Sequence, residues 1–185
     1  MDLRQAQQDM RHGYLSGYPG LAISGLVWLA AGFAGWSFSL QTGALTLFFG
    51  GMAIHPLSGL VARLSGRPGT HSKENPLAAL ALECTILLFI GLFIAYSVFQ
   101  LTPAWFFPIM LMTIGGRYLV FSTLYGMRIY WAIGAVLALL GMSFIQLGLN
   151  PLWATVSGGG IELLGAVLVF LLTRKEPAPL SNTAD

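Results

Sequence analysis

Six stretches of the chain run apolar for about twenty residues at a time, at roughly 18–37, 43–64, 76–99, 103–124, 129–148 and 151–172. A helix needs about 20 such residues to cross a hydrocarbon core about 30 Å thick. The runs are continuous rather than alternating, and they are twice the roughly 10-residue length of a membrane barrel strand. The pattern predicts an all-α integral membrane protein, a six-helix transmembrane bundle over 18–173. The connections are short, so the six helices pack as one unit with no room for a second domain.

The segment before the first span, 1–17, follows a different rule. Leu3, Ala6, Met10 and Tyr14 recur at spacings of three and four, while Arg4, Gln5, Gln7, Gln8 and Arg11 fill the positions between them. That is the pattern of an amphipathic helix. It predicts a short helix over about 2–11, lying on the inner leaflet. The polar start, followed by a run long enough to span, argues against a cleavable signal peptide. The tail, 174–185, is expected to be disordered, because it is polar and carries two prolines.

Composition narrows the class further. Apolar residues make up 56 % of the 185 and charged residues only 9 %, against the roughly 25 % charge of a soluble domain. A net charge of +2 gives no reason to expect a nucleic-acid partner. The single cysteine, Cys84, falls within a span and has no partner for a disulfide. The nine Lys and Arg residues are unevenly placed: Arg4 and Arg11 precede the first span, Arg63, Arg67 and Lys73 surround the second connection, Arg117 and Arg128 the fourth, and Arg174 and Lys175 follow the last span. The alternate connections hold none. Short loops that retain Lys and Arg stay inside, so both termini are expected in the cytoplasm, with the protein in a bacterial inner membrane. Trp36, Trp105 and Trp153 then fall near the outer interface, where amphipathic rings prefer to sit. The expected partners are the bilayer and, for the basic RPGTHSK connection (67–73), anionic headgroups at the inner face. A homo-oligomer is compatible with this reading.

The spans also fall into three hairpins in series. In the returning helix of each, a glycine cluster precedes a polar residue: Gly50-Gly51 before His55, Gly115-Gly116 before Arg117, and Gly158-Gly159-Gly160 before Glu162. Glycines let helix backbones approach closely in lipid. The third hairpin, WAIGAVLALLGMSFIQLGLNPLWATVSGGGIELLGAVLVFLLTRK, has a turn at Asn150-Pro151, a Gly160-Ile161-Glu162-Leu163 stretch and a closing basic pair. In these features it resembles the two-helix repeat of bacterial acid-resistance membrane proteins (HdeD-like). The resemblance covers about 45 residues and implies a six-span layout without catalytic residues. The second hairpin departs from the repeat at Pro108 and Arg117. As a whole the chain resembles small bacterial six-span membrane proteins of unknown function.

Ionisable side chains at membrane depth cost roughly 2.5–3.5 kcal/mol each on insertion scales, so they face the bundle interior and mark function more often than chance. Four stand out: His55, Glu83, Arg117 and Glu162. At 1.5 Å per residue the first three lie about 10–12 Å below the inner boundary on three different helices, and Glu162 lies nearer the midplane. Tyr118, Ser122 and Tyr125 add hydroxyls on the Arg117 span. These seven are the candidates for a binding site or proton relay. Several structural readings compete with that one. Glu83 and Arg117 are expected to pair because neither can be left alone in lipid, or Arg117 snorkels to the headgroups. His55 can be an interior imidazole beside the helix break at Pro56, and Glu162 a carboxyl hydrogen-bonded across a close helix contact.

No catalytic motif, phosphate loop or set of metal ligands is present in the sequence, so no cofactor is expected. The leading expectation is a non-enzymatic membrane protein, a proton-linked small-solute transporter or channel with a cytoplasm-facing polar cavity. The rivals are a structural or stress-response protein with paired buried charges, and an intramembrane lipid-modifying enzyme using His55 or Glu83. The cation asymmetry gives a direct test of topology. Reporter fusions after Thr42, Gln100 and Asn150 should read outside, and fusions after Gly69, Gly126 and Lys175 inside; reversal at any two points rules out the arrangement.

Overall fold

The structure, a computed structural model, describes residues 1–174. The tail assigned to 174–185 therefore lies outside the described residues beyond Arg174. Among the described residues there are no strands. The helices are α1 (Leu3–Tyr14), α2 (Tyr18–Ser37), α3 (Leu40–Leu64), α4 (Leu77–Phe99), α5 (Phe106–Tyr125), α6 (Arg128–Gln146) and α7 (Pro151–Thr173). Six of them are long and apolar enough to cross a membrane. Their bounds match the apolar runs closely, because local chemistry stops and starts them where the sequence suggests. The Ser39 hydroxyl accepts from the Thr42 amide at 3.1 Å and caps α3. Asn150 accepts from the Leu152 amide at 3.0 Å ahead of Pro151 in α7. Gly126, at φ 66°, ends α5 in the left-handed conformation that glycine adopts without cost. A 3₁₀ turn, Pro103–Trp105, leads into α5.

Packing follows the three hairpins only in part. The most intimate pairs are α5 with α6, α2 with α7, and α2 with α3, whereas α6 and α7 of the third hairpin touch far less. Glycine decides this. A Cβ added at Gly134 would stand 2.5 Å from the Gly115 carbonyl oxygen, and one at Gly141 2.5 Å from that of Pro108, so α5 and α6 meet main chain to main chain. Gly25 and Gly159 do the same for α2 and α7, where each added Cβ would meet the other's carbonyl oxygen at 2.9 and 2.8 Å. Within each glycine cluster only part makes contact: Gly51, Gly116 and Gly160 have open space around them. Helices α3 and α4 sit at the rim. Of their apolar windows 11 % is buried, against 33–39 % in the other four. The core is formed by Leu21, Trp28, Phe107, Leu111, Tyr130 and Leu137.

The N-terminal helix corrects the sequence expectation. It forms, capped by a reciprocal pair between Asp2 and Gln5, and it runs on to Tyr14. Its apolar stripe, Ala6 and Met10, is fully buried against the protein rather than turned to a leaflet. Hydrogen bonds account for this. Gln7 Nε2 donates to the Thr123 carbonyl at 2.8 Å and Arg11 Nη1 to that of Tyr125 at 2.6 Å, so α1 supplies donors to carbonyls that the end of α5 leaves without helical partners. Asp9 accepts from the Ser72 amide at 2.9 Å and from Asn75 Nδ2 at 2.7 Å. The connection 65–76 is therefore bound to α1, with Arg67 Nη1 also 2.7 Å from His12 Nδ1. The basic connection meets the protein's own first helix at these points. At the opposite end Trp36 and Trp153 pack edge to face with centroids 5.2 Å apart, both about half exposed.

The glycine contacts predict a graded response to a single methyl group. Gly115→Ala and Gly134→Ala each press a Cβ into opposing backbone, which no rotamer change relieves, and should lower stability in detergent by about 1–3 kcal/mol. Gly116→Ala, with nothing near, should leave stability unchanged or raise it by about 1 kcal/mol. Thermal melting of the purified variants checks both.

Candidate functional site

Helices α3 and α4 pack on α2 and α5 and hardly on each other, which leaves a cavity of about 430 Å³ between them. Its inner wall is the face of α5 that carries Ile114, Arg117, Tyr118 and Phe121 at helical spacing. Its outer walls come from α3, with Phe48, Gly51 and His55, and from α4, with Thr85, Leu88 and Leu92. Ser24 and Trp28 of α2 form the floor, and Met10 and Tyr14 of α1 close the basic end. The lining is mainly apolar, with a few polar groups contributed by all five helices, which is the general form of a ligand site.

Four of the seven candidates from the sequence meet here: His55, Arg117, Tyr118 and Tyr125. The Arg117 guanidinium lies 5.1 Å from the centre of the Phe121 ring, a cation–π distance. Its Nε is buried with no hydrogen-bond partner, and among the described residues Arg117 forms no ion pair. Tyr125 stacks on Tyr130 with centroids 5.3 Å apart, and its carbonyl holds Arg11. His55 is exposed to the cavity side of α3, where the Ser58 hydroxyl donates to its carbonyl at 2.9 Å. Pro56 follows it inside α3 and removes one helical amide donor.

Glu162 stands directly behind this wall. It is fully buried, and the Tyr118 hydroxyl donates to its Oε1 at 2.8 Å. Ser24 lies beside the carboxyl as well, while Oε2 makes no hydrogen bond. A hydrogen bond joins the carboxyl to a neighbouring helix, with the carboxyl accepting from the Tyr118 side chain. Tyr118 thus separates the carboxyl from the cavity.

Two candidates lie elsewhere. Glu83 is exposed on α4 and among the described residues has neither a hydrogen bond nor an ion pair, so the expected Glu83–Arg117 pair does not form. The reason is helical phase. Cys84 takes the buried position towards α5, with its Sγ 3.9 Å from the Arg117 carbonyl, and a one-residue offset rotates Glu83 by about 100° away. Ser122 does not line the cavity; its carbonyl accepts from the Met127 amide at 3.1 Å where α5 ends. Sequence reasoning missed Ser24, Trp28, Tyr14 and Gly51. Only Ser24 carried a signal, as a lone hydroxyl among apolar residues in mid-span, and that signal is weak because serine is common in membrane helices.

The Tyr118–Glu162 bond predicts an asymmetry between its two ends. Tyr118→Phe leaves a buried carboxyl without its donor and should cost about 1–3 kcal/mol. Glu162→Gln keeps an oxygen acceptor for the hydroxyl and should cost less. Glu83→Gln should change stability little. Denaturation of the three variants in detergent checks the order.

No curated protein and no solved structure matches the chain. A family of unknown function does match, over residues 3–173. That span takes in α1 together with the six long helices, so the helix that closes the cavity belongs to the family unit as much as the bundle does. The chain is a member of the family of unknown function DUF7010.

Proposed function

We propose that this protein is a non-enzymatic carrier of the bacterial inner membrane, with both termini in the cytoplasm, that takes a small and mainly apolar solute into the cavity between α3 and α4. The observation that carries this reading is the cavity itself: about 430 Å³ between two rim helices that pack on α2 and α5 and hardly on each other. A solute in the bilayer reaches it sideways through that gap. The orientation rests on the cation asymmetry. The buried Tyr118–Glu162 pair one layer behind the wall is where a coupling proton would reside. An enzymatic reading is weaker, because His55 has no carboxylate to orient it as a base. A structural or stress-response role draws on the resemblance of 131–175 to acid-resistance proteins, but it calls for intramembrane charges that cancel in pairs, and Glu83 and Arg117 do not.

Gly51 gives the test. It lines the cavity, and a Cβ added there meets nothing within 4 Å. Gly51→Leu should therefore fold, with a helix-propensity gain of about 0.8 kcal/mol, while filling the space. Purified protein in nanodiscs should bind decanol saturably above the empty-disc background, and Gly51→Leu should lose that binding without losing thermal stability. Equal binding by both proteins overturns the reading.

A further inference from the structure

We infer that the cavity is built for a single-chain amphiphile with a monoanionic head, seated against Arg117. This rests on the carrier reading above and adds the chemical class of the solute. Among the residues lining the cavity, Arg117 is the one formally charged at neutral pH apart from any charge on His55, and no aspartate or glutamate is present. Two donors on its walls lack acceptors: Arg117 Nε and the indole N–H of Trp28, a residue 1 % exposed. Ser24 and Tyr118 also line the cavity, with their hydroxyls engaged by Glu162. The acid in the adjoining layer, Glu162, is engaged by Tyr118 and does not pair with Arg117.

A partly buried cation whose Nε is sequestered without an acceptor is costly unless an anion meets it. A guanidinium fork matches a carboxylate or phosphate oxygen pair in geometry. One cation fits one negative charge. On the two rim helices Phe48, Leu88, Phe89 and Leu92 offer apolar contact, beside the polar His55, Ser58 and Thr85. A head at Arg117 therefore places a hydrocarbon tail in the gap between α3 and α4. A cavity of about 430 Å³ accommodates one such chain and falls well short of a whole two-chain lipid.

The experiment compares decanoate, decanol and decyltrimethylammonium, which share a tail and differ in head charge. Binding is measured with radiolabelled ligands on the purified protein in phosphatidylcholine nanodiscs, where no anionic lipid competes. The wild type should prefer decanoate over decanol by about tenfold or more, and the cationic compound should bind least. Arg117→Gln should remove that preference while leaving decanol binding unchanged. Wild-type protein that binds decanol as tightly as decanoate overturns the assignment of charge, and this comparison needs no variant to fold. An unchanged preference in Arg117→Gln overturns it as well. Absence of saturable binding for all three ligands, or binding that Gly51→Leu leaves intact, overturns the carrier reading and this inference with it.

Discussion

Contact between helix backbones at glycine is the constraint on which the rest of this bundle depends. Lipid tails are as apolar as leucine, so apolar side chains alone give helices little reason to prefer one another over the bilayer. Helices associate where they can come closest. Gly115, Gly134 and Gly141 provide that for α5 and α6, and Gly25 and Gly159 for α2 and α7. Helices α3 and α4 are each joined on one side only: α3 to α2, where Gly43 meets the Ala31 carbonyl, and α4 to α5. The space between them is what remains because they hardly touch each other. The cavity and the glycine pattern are thus one feature.

The basic end is closed by a different chemistry. Three consecutive residues, Leu15, Ser16 and Gly17, adopt left-handed conformations, at φ 53°, 54° and 84°. For the two that are not glycine this costs about 1–3 kcal/mol each. The strain persists because the surroundings fix it. The Tyr130 hydroxyl donates to the Ser16 carbonyl at 2.6 Å, and the side chains of α1 hold the carbonyls where α5 ends. Tyr130 in turn packs among Tyr118, Phe121 and Tyr125, the aromatic residues of the cavity wall. The turn that places α1 and the wall that presents Arg117 are therefore in contact through one cluster of rings.

The six spans were legible because each is a long uninterrupted apolar run, and the start of the last was legible from Asn150-Pro151. The site was half legible. His55, Arg117, Tyr118 and Tyr125 meet as the polar residues of the spans suggested, with Glu162 one layer behind them. Glu83 and Ser122 do not join them. What failed was helical phase. In a soluble helix the apolar stripe marks the inward face, but here both faces of α4 are apolar, and nothing in the sequence says whether Glu83 or its neighbour Cys84 turns towards α5. The same ambiguity hid the pairing of helices. Each glycine cluster offers two or three contact points, and only the folded bundle shows that Gly115 is used and Gly116 is not. The amphipathic pattern of α1 was read correctly as a helix, but its apolar stripe could serve protein or lipid equally well, and hydrogen bonds to distant main chain decided the matter.

The pairing of α2 with α7 also bears on how the molecule is made. These are the first and the last of the six spans, and a chain emerging from the ribosome delivers its N-terminal segments first. Helix α2 therefore enters the bilayer with α3 beside it and with Gly25 and Ser24 facing lipid, and it must wait for the whole intervening chain before its closest partner arrives. The α5–α6 pair can form in the meantime, since only the Gly126 turn separates its members. Assembly is then ordered by the direction of synthesis: a hairpin at one side, a hairpin at the other, and a final helix that joins them and carries Glu162 to the hydroxyl of Tyr118. A nascent chain arrested before α7 should hold its spans in the membrane as two loosely associated groups, exposed to the quality-control proteases that survey unfinished membrane proteins.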